Sequence, residues 1–108
     1  DKALEFYTKN LGFKVHTDQQ FGPMRWLTVH PAQNNNFEVV LMLAETTQEK
    51  ALIGKQAAQK PLICVSVDDC KATVKTLKDT GVTFVQDVKE EPWGISATCV
   101  DVYGNIIY

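Results

Sequence analysis

The second half of this 108-residue chain partly repeats the first. Lys2-Ala3 opens a helix-like stretch that ends at Gly12, and Lys71-Ala72 opens another that ends at Gly81. The offset is the same at both ends (71−2 = 69 and 81−12 = 69). Each glycine leads into a strand-like run, Phe13-Lys14-Val15 and Val82-Thr83-Phe84-Val85. Further on, Phe21-Gly22-Pro23 ahead of Met24–Val29 is echoed by Trp93-Gly94 ahead of Ile95–Val100 at an offset of 94−22 = 72, as a loop longer by about three residues would produce. Two copies at such a period predict one αβββ-type unit used twice, with a cleft where the sheets meet.

Composition limits the function classes. The length is that of one small domain. A net charge of −2 at pH 7 argues against a nucleic-acid surface, since phosphate binding needs a clustered basic face. No apolar run approaches the roughly 20 residues of a membrane span, and no secretory signal pattern is present. Cys64, Cys70 and Cys99 are odd in number and contain no CxxC, so they are expected as buried, reduced thiols in a cytoplasmic protein.

Asp1 is a candidate N-cap, and Leu4, Tyr7 and Leu11 recur at helical spacing, with Ala3 and Phe6 widening the apolar face. Phe6, Tyr7, Leu11 and Phe13 are assigned to the core. Strands are predicted over Phe13–Gln20, Met24–His30 and Phe37–Leu43. Residues 1–44 form the first module and 45–60 a linker rich in Thr, Gln, Ala and Lys. The second module, 61–108, consists of a strand over Leu62–Val67, a helix capped by Asp68 or Asp69 with Cys70, Val74 and Leu77 inside, and strands over Val82–Asp87, Ile95–Asp101 and Asn105–Tyr108. The second copy reads β-α-β-β-β and the first only α-β-β-β. The sequence is therefore expected to be trimmed from a longer one, with an opening strand before Asp1.

Four segments carry a family resemblance: Lys2–Phe13, close to A-x-x-F-Y-x-x-x-L-G-F; the corner Val67-Asp68-Asp69-Cys70; the hairpin Glu91-Pro92-Trp93-Gly94; and the turn Asp101-Val102-Tyr103-Gly104-Asn105, close to D-P-D-G-N. Together they resemble the vicinal oxygen chelate superfamily of glyoxalase I, bleomycin-resistance proteins and extradiol dioxygenases. The resemblance implies an α+β fold of two βαβββ modules, the first strand of module one absent here, whose curved mixed sheets surround an open cleft. A homodimer is expected, because edge strands and an open barrel invite pairing and twofold symmetry is the commonest closed arrangement.

Family enzymes hold a divalent metal that polarises the substrate's oxygens as a Lewis acid. Carried over, the visible ligand positions fall on Glu38, Leu62 and Tyr108. Only Glu38 supplies a donor suited to such an ion, so no metal cofactor is expected. Glu38 is the candidate general base if the chain is an enzyme. Trp26 and Trp93, in comparable hairpin regions, and Arg25 and Tyr108 are the candidate ligand-contacting residues. Aromatic faces bind flat apolar groups, and a lone arginine grips a carboxylate. His16 and His30 are expected at strand rims, and Asp101 and Asn105 in turn geometry. A nucleophilic Cys99 would need a neighbouring base, and none is legible. The expected function is a bleomycin-resistance-like protein binding a small molecule without a catalytic metal. The alternatives are a glyoxalase-type lyase or isomerase using Glu38, or a structural module whose cleft is closed by its own side chains.

Overall fold

The computed structural model describes every residue from Asp1 to Tyr108 and has an α+β fold. Its chain forms two compact units, Asp1–Thr46 and Thr47–Tyr108. No helix is long and apolar enough to cross a membrane.

The first unit opens with α1 (Lys2–Glu5), which widens directly into a π-helical turn, Phe6–Asn10. A regular α-helix to Gly12 was expected, and local chemistry explains the difference. The Thr8 hydroxyl donates to the Leu4 carbonyl at 2.6 Å. A side chain entering the i→i−4 ladder in this way loosens it, and the Leu11 N–H instead reaches Phe6 O at 3.2 Å. The wider turn buries both Phe6 and Tyr7, with ring centroids 5.3 Å apart edge-to-face. Phe13 N–H donates to Tyr7 O at 2.8 Å, which leads the chain into the sheet and brings the Phe13 ring to 5.8 Å from Tyr7. Leu11, assigned to the core, is half-buried. Asp1 occupies the N-cap position without a side-chain cap hydrogen bond.

Three strands follow: β1 (Lys14–Phe21), β2 (Met24–His30) and β3 (Val39–Leu41), in the antiparallel order β1-β2-β3. The third is shorter than the Phe37–Leu43 run predicted for it. Leu27 and Val29 on β2 are buried and alternate with Trp26, Thr28 and His30. Arg25, on the Leu27–Val29 face, reaches back to Asp1 at the start of α1. That face is therefore the helix side, and the other is the open side of the sheet.

The second unit starts with a short helix, α2 (Thr47–Ala51), inside the expected linker. It continues through β4 (Pro61–Ile63), α3 (Cys70–Asp79), β5 (Phe84–Glu91), β6 (Gly94–Val100) and β7 (Ile106–Ile107), with sheet order β4-β7-β6-β5. Asp69 caps α3 by accepting from Ala72 N–H at 3.1 Å. Val74 and Leu77 bury the apolar stripe of this helix with Val82, Cys99 and Ile107. Of the three cysteines only Cys99 is buried. Cys64, which follows the short β4, is exposed, and Cys70 in the first turn of α3 is half-buried. Burial, followed by the charge of Asp101, pushes the Cys99 thiol pKa up.

The repeat is real, but its register differs from the one read in the sequence. Strands β1 and β5 both have eight residues and β2 and β6 both have seven, all at one offset (84−14 = 70, 100−30 = 70). The counterpart of Gly22 is thus Pro92, and Gly94 matches Met24. Trp93 lies in the hairpin turn, 75% exposed, whereas Trp26 lies within a strand, so the two tryptophans are not equivalent.

The turn after β6 anchors this unit. Buried Asp101 accepts from Tyr103 N–H at 2.8 Å and Asn105 N–H at 2.9 Å through Oδ1, and from Asn105 Nδ2 at 2.9 Å through Oδ2. Gly54, at φ +73°, lies so close that a Cβ there would overlap the Tyr103 carbonyl oxygen. The segment between the modules is therefore fitted against the Asp101–Asn105 turn.

Three outcomes are expected. Asp101→Ala costs about 2–3 kcal/mol, because it strands two backbone donors that had a charged partner. Gly54→Ala costs at least as much, adding a steric overlap to a left-handed backbone, whereas Gly22→Ala, with open space around it, costs about 1 kcal/mol. Urea unfolding measures all three. Ellman's reagent reacts with Cys64 in the native protein and with Cys99 only on unfolding.

Candidate functional site

The open side of the first sheet is where chemistry collects. In an uninterrupted strand residues 15 and 17 share a face. Here Val15 stands opposite Val29 and Thr17 opposite Thr28, with the register shifted between them. This bulge at His16 turns Thr17, together with His16, onto the open side, where β2 presents Trp26, Thr28 and His30.

The result is a connected polar group. His16 Nδ1 lies 2.9 Å from Glu38 Oε1, an ion-pair distance when the ring is protonated. The fully buried Thr28 hydroxyl donates to the same oxygen at 2.6 Å. His16 Nδ1 also lies 2.9 Å from Thr17 Oγ1. The His30 ring stands edge-on to His16 with centroids 5.8 Å apart, and His30 Nδ1–H donates to the Pro31 carbonyl at 2.7 Å. Both a carboxylate and a carbonyl only accept, so each imidazole carries its proton on Nδ1. In the neutral ring, Nε2 is then left as the acceptor. His16 and Glu38 each keep more than a third of their side-chain surface in solvent, 40% and 37%.

Beside this group runs an apolar stripe. Phe21 and Met24 face each other across β1 and β2, Trp26 follows along β2, and Val40 lies opposite Thr28 on β3. Met42 continues the alternation one residue past β3. These five side chains are exposed, from 36% for Trp26 to 60% for Met42. Trp26, Thr28 and His30 are spaced along one strand face at about 7 Å per step, so the stripe and the polar group meet at Thr28.

The candidates named from the sequence separate accordingly. Glu38 and Trp26 come together on the open side of the first sheet. Arg25 points to the helix side, where its Nε and Nη2 fork onto both Asp18 oxygens at 2.8 and 2.9 Å and Nη1 reaches Asp1 at 3.0 Å. That guanidinium holds the Asp18 carboxyl below the usual carboxylate range. Trp93 and Tyr108 belong to the second unit, Trp93 in the β5–β6 turn and Tyr108 just after β7, where Tyr108 N–H donates to Ile63 O. Thr28 escaped the sequence reading. Its signal was a hydroxyl placed between two core residues in Leu27-Thr28-Val29.

The repeat shows that the polar group is not a requirement of the fold. Val39 lies opposite Val29 and Ile107 opposite Cys99, and 99−29 = 70. The counterpart of Tyr108 is therefore Val40, and that of Glu38 is Ile106, two residues from the equivalence read in the sequence. His30 corresponds to Val100, and the bulged His16 to Val85, because Gln86 stands opposite Thr98 as Thr17 stands opposite Thr28. Only Thr28 keeps its type, as Thr98.

Nor do the positions expected to ligate a metal compose a site. They supply a carboxylate already accepting from Thr28 and facing His16, the alkyl chain of Leu62 and the phenol of Tyr108. No three His, Cys, Asp or Glu side chains gather to hold an ion. This donor set does not fit a divalent cation.

Asp18 strengthens the fold while ionised, so its contribution is present above the usual carboxylate range and is lost as acid protonates it. Arg25→Gln is expected to return the Asp18 titration to the ordinary range and to flatten the acid limb of stability. Carboxyl-carbon NMR titration at low salt, where the exposed pair is least screened, reads the change.

The sequence profile of the glyoxalase/bleomycin resistance protein/dioxygenase superfamily matches residues 1–107. The protein YurT of Bacillus subtilis (strain 168) is 33% identical, over 99% of this chain and 86% of its own length. Among solved structures, UcmS2 superposes with a TM-score of 0.87 at 34% identity, covering 99% of this chain and 85% of that one. TnmS3, an antibiotic binding protein from Streptomyces sp. CB03234, superposes with a TM-score of 0.77 at 29% identity, covering 98% and 80%. The chain belongs to the glyoxalase/bleomycin resistance protein/dioxygenase superfamily.

Proposed function

We propose that this chain binds an apolar, flat small molecule on the open side of its first sheet, without a catalytic metal, in the manner of a bleomycin-resistance-type protein. One observation carries the reading: a sheet face that exposes Phe21, Met24, Trp26, Val40 and Met42 beside a hydrogen-bonded polar group. Exposed apolar surface is unfavourable in water, and a contiguous patch rimmed by polar groups marks a binding surface. A rigid indole offers large contact area with little entropy to lose, and one or two polar groups orient the guest. The similarity to TnmS3, described as an antibiotic binding protein, supports the same reading.

The enzyme alternative, with Glu38 as general base, has less support. Its Oε1 already accepts from Thr28 and faces the His16 imidazole at 2.9 Å, an arrangement that positions the imidazole rather than freeing the carboxylate.

A thermal-shift screen of polycyclic aromatic compounds on chelator-treated protein tests the proposal. A ligand at about 100 times its Kd adds about 2.7 kcal/mol and raises Tm by several degrees. Trp26→Ala is expected to weaken such a ligand about tenfold or more, the loss of roughly 1–3 kcal/mol of stacking, while Trp93→Ala leaves it unchanged. A Tm rise that requires added divalent metal, or equal losses in the two variants, would overturn the proposal.

A further inference from the structure

Resting on that reading, we infer that His16 takes a proton from the ligand, so that the preferred guests are flat apolar molecules bearing an acidic hydroxyl of phenol or enol type. Four observations converge. His16 Nδ1 faces the Glu38 carboxylate at 2.9 Å and Thr17 Oγ1 at the same distance, which leaves Nε2 as the nitrogen to meet a guest. The imidazolium formed on protonation stays paired with that carboxylate. Thr28, buried and donating at 2.6 Å, holds Glu38 in place for the pairing. Finally, the bulge at His16 sets the ring on the same sheet face as Trp26 and Val40, beside the surface that receives the apolar body.

The step balances simply. The O–H bond of the guest breaks, its electron pair stays on oxygen, and the proton forms an N–H bond at Nε2. The new oxyanion lies against an imidazolium whose other side is neutralised by Glu38. The charged and titratable groups facing this site are Glu38, His30 and Lys14, which stands opposite His30 in register. Asp18 and Arg25 are on the other side of the sheet. A charge-assisted hydrogen bond of this kind exceeds a neutral one, so removing the hydroxyl proton from the guest costs affinity even though contact area is kept.

The probes are 7-hydroxycoumarin and its methyl ether, 7-methoxycoumarin, which share a flat body and differ in the acidic proton. Quenching of tryptophan emission reports binding of both, and the phenolate absorption band reports proton transfer. Both are expected to bind. The hydroxyl form should bind about tenfold more tightly, with its apparent pKa lowered on the protein. His16→Gln should abolish the pKa shift and the tenfold preference, so that the two probes bind with similar affinity. Glu38→Gln should weaken the same two effects and, by imidazole nitrogen NMR, release His16 from its Nδ1–H tautomer. Retained Tm in each variant shows that folding is intact. Equal binding of the two probes, or a pKa shift that survives His16→Gln, overturns the proton-acceptor assignment and leaves the apolar platform standing. Failure of both probes to bind overturns the platform, and this inference with it.

Discussion

Strand alternation on β2 is the constraint from which the rest of the first unit follows. Leu27 and Val29 must be buried, and the helical segment carrying Phe6 and Tyr7 lies on the side to which Arg25 turns. Because successive residues point to opposite faces, Trp26, Thr28 and His30 are then committed to the other side. The apolar stripe and the polar group are thus two consequences of one burial requirement. The sheet cannot hide Trp26 without exposing Leu27.

The bulge adds what alternation alone would not supply. A regular β1 would place Thr17 with Val15, away from Thr28. One inserted residue turns Thr17 to the open side and brings His16 within hydrogen-bonding distance of Glu38. A bulge also lies in β5, where the register shifts between Phe84 and Gln86. The corresponding side chains there, Val85, Val100 and Ile106, compose no such group. The backbone device is shared by both copies, but the ionisable side chains occur in only one. That asymmetry is what separates a site from a structural habit of the fold.

The second unit puts its polar atoms to a different use. Asp101 is nearly as buried as the core around it, and its oxygens accept from the backbone of Tyr103 and Asn105 and from the Asn105 side chain. This is a turn built around a carboxylate, with Gly54 fitted against Tyr103 O. The same functional group, a carboxylate, faces an imidazole in the first unit and closes a loop in the second. The distinction lies in exposure and partners: Glu38 keeps solvent and an imidazole, whereas buried Asp101 accepts from amide donors.

Much of this was legible in the order of residues. The internal repeat, the α+β class, the Asp69 cap, the core roles of Phe6, Tyr7 and Phe13, and the turn at Asp101 all rest on local spacing and backbone preference, which a linear sequence records directly. The π-turn and the hairpin register were not legible. One depends on a competition between the Thr8 hydroxyl and the backbone for a carbonyl, and the other on a single residue of strand offset. The convergence of His16, Thr28, His30 and Glu38 was equally hidden, because it joins two strands and the residue just before a third and needs the bulge to bring it about. The sequence by itself determined which residues could be buried and which carried chemistry. Only the tertiary structure decided which of them share a face, since register and bulges arise from pairing between segments that are distant in sequence.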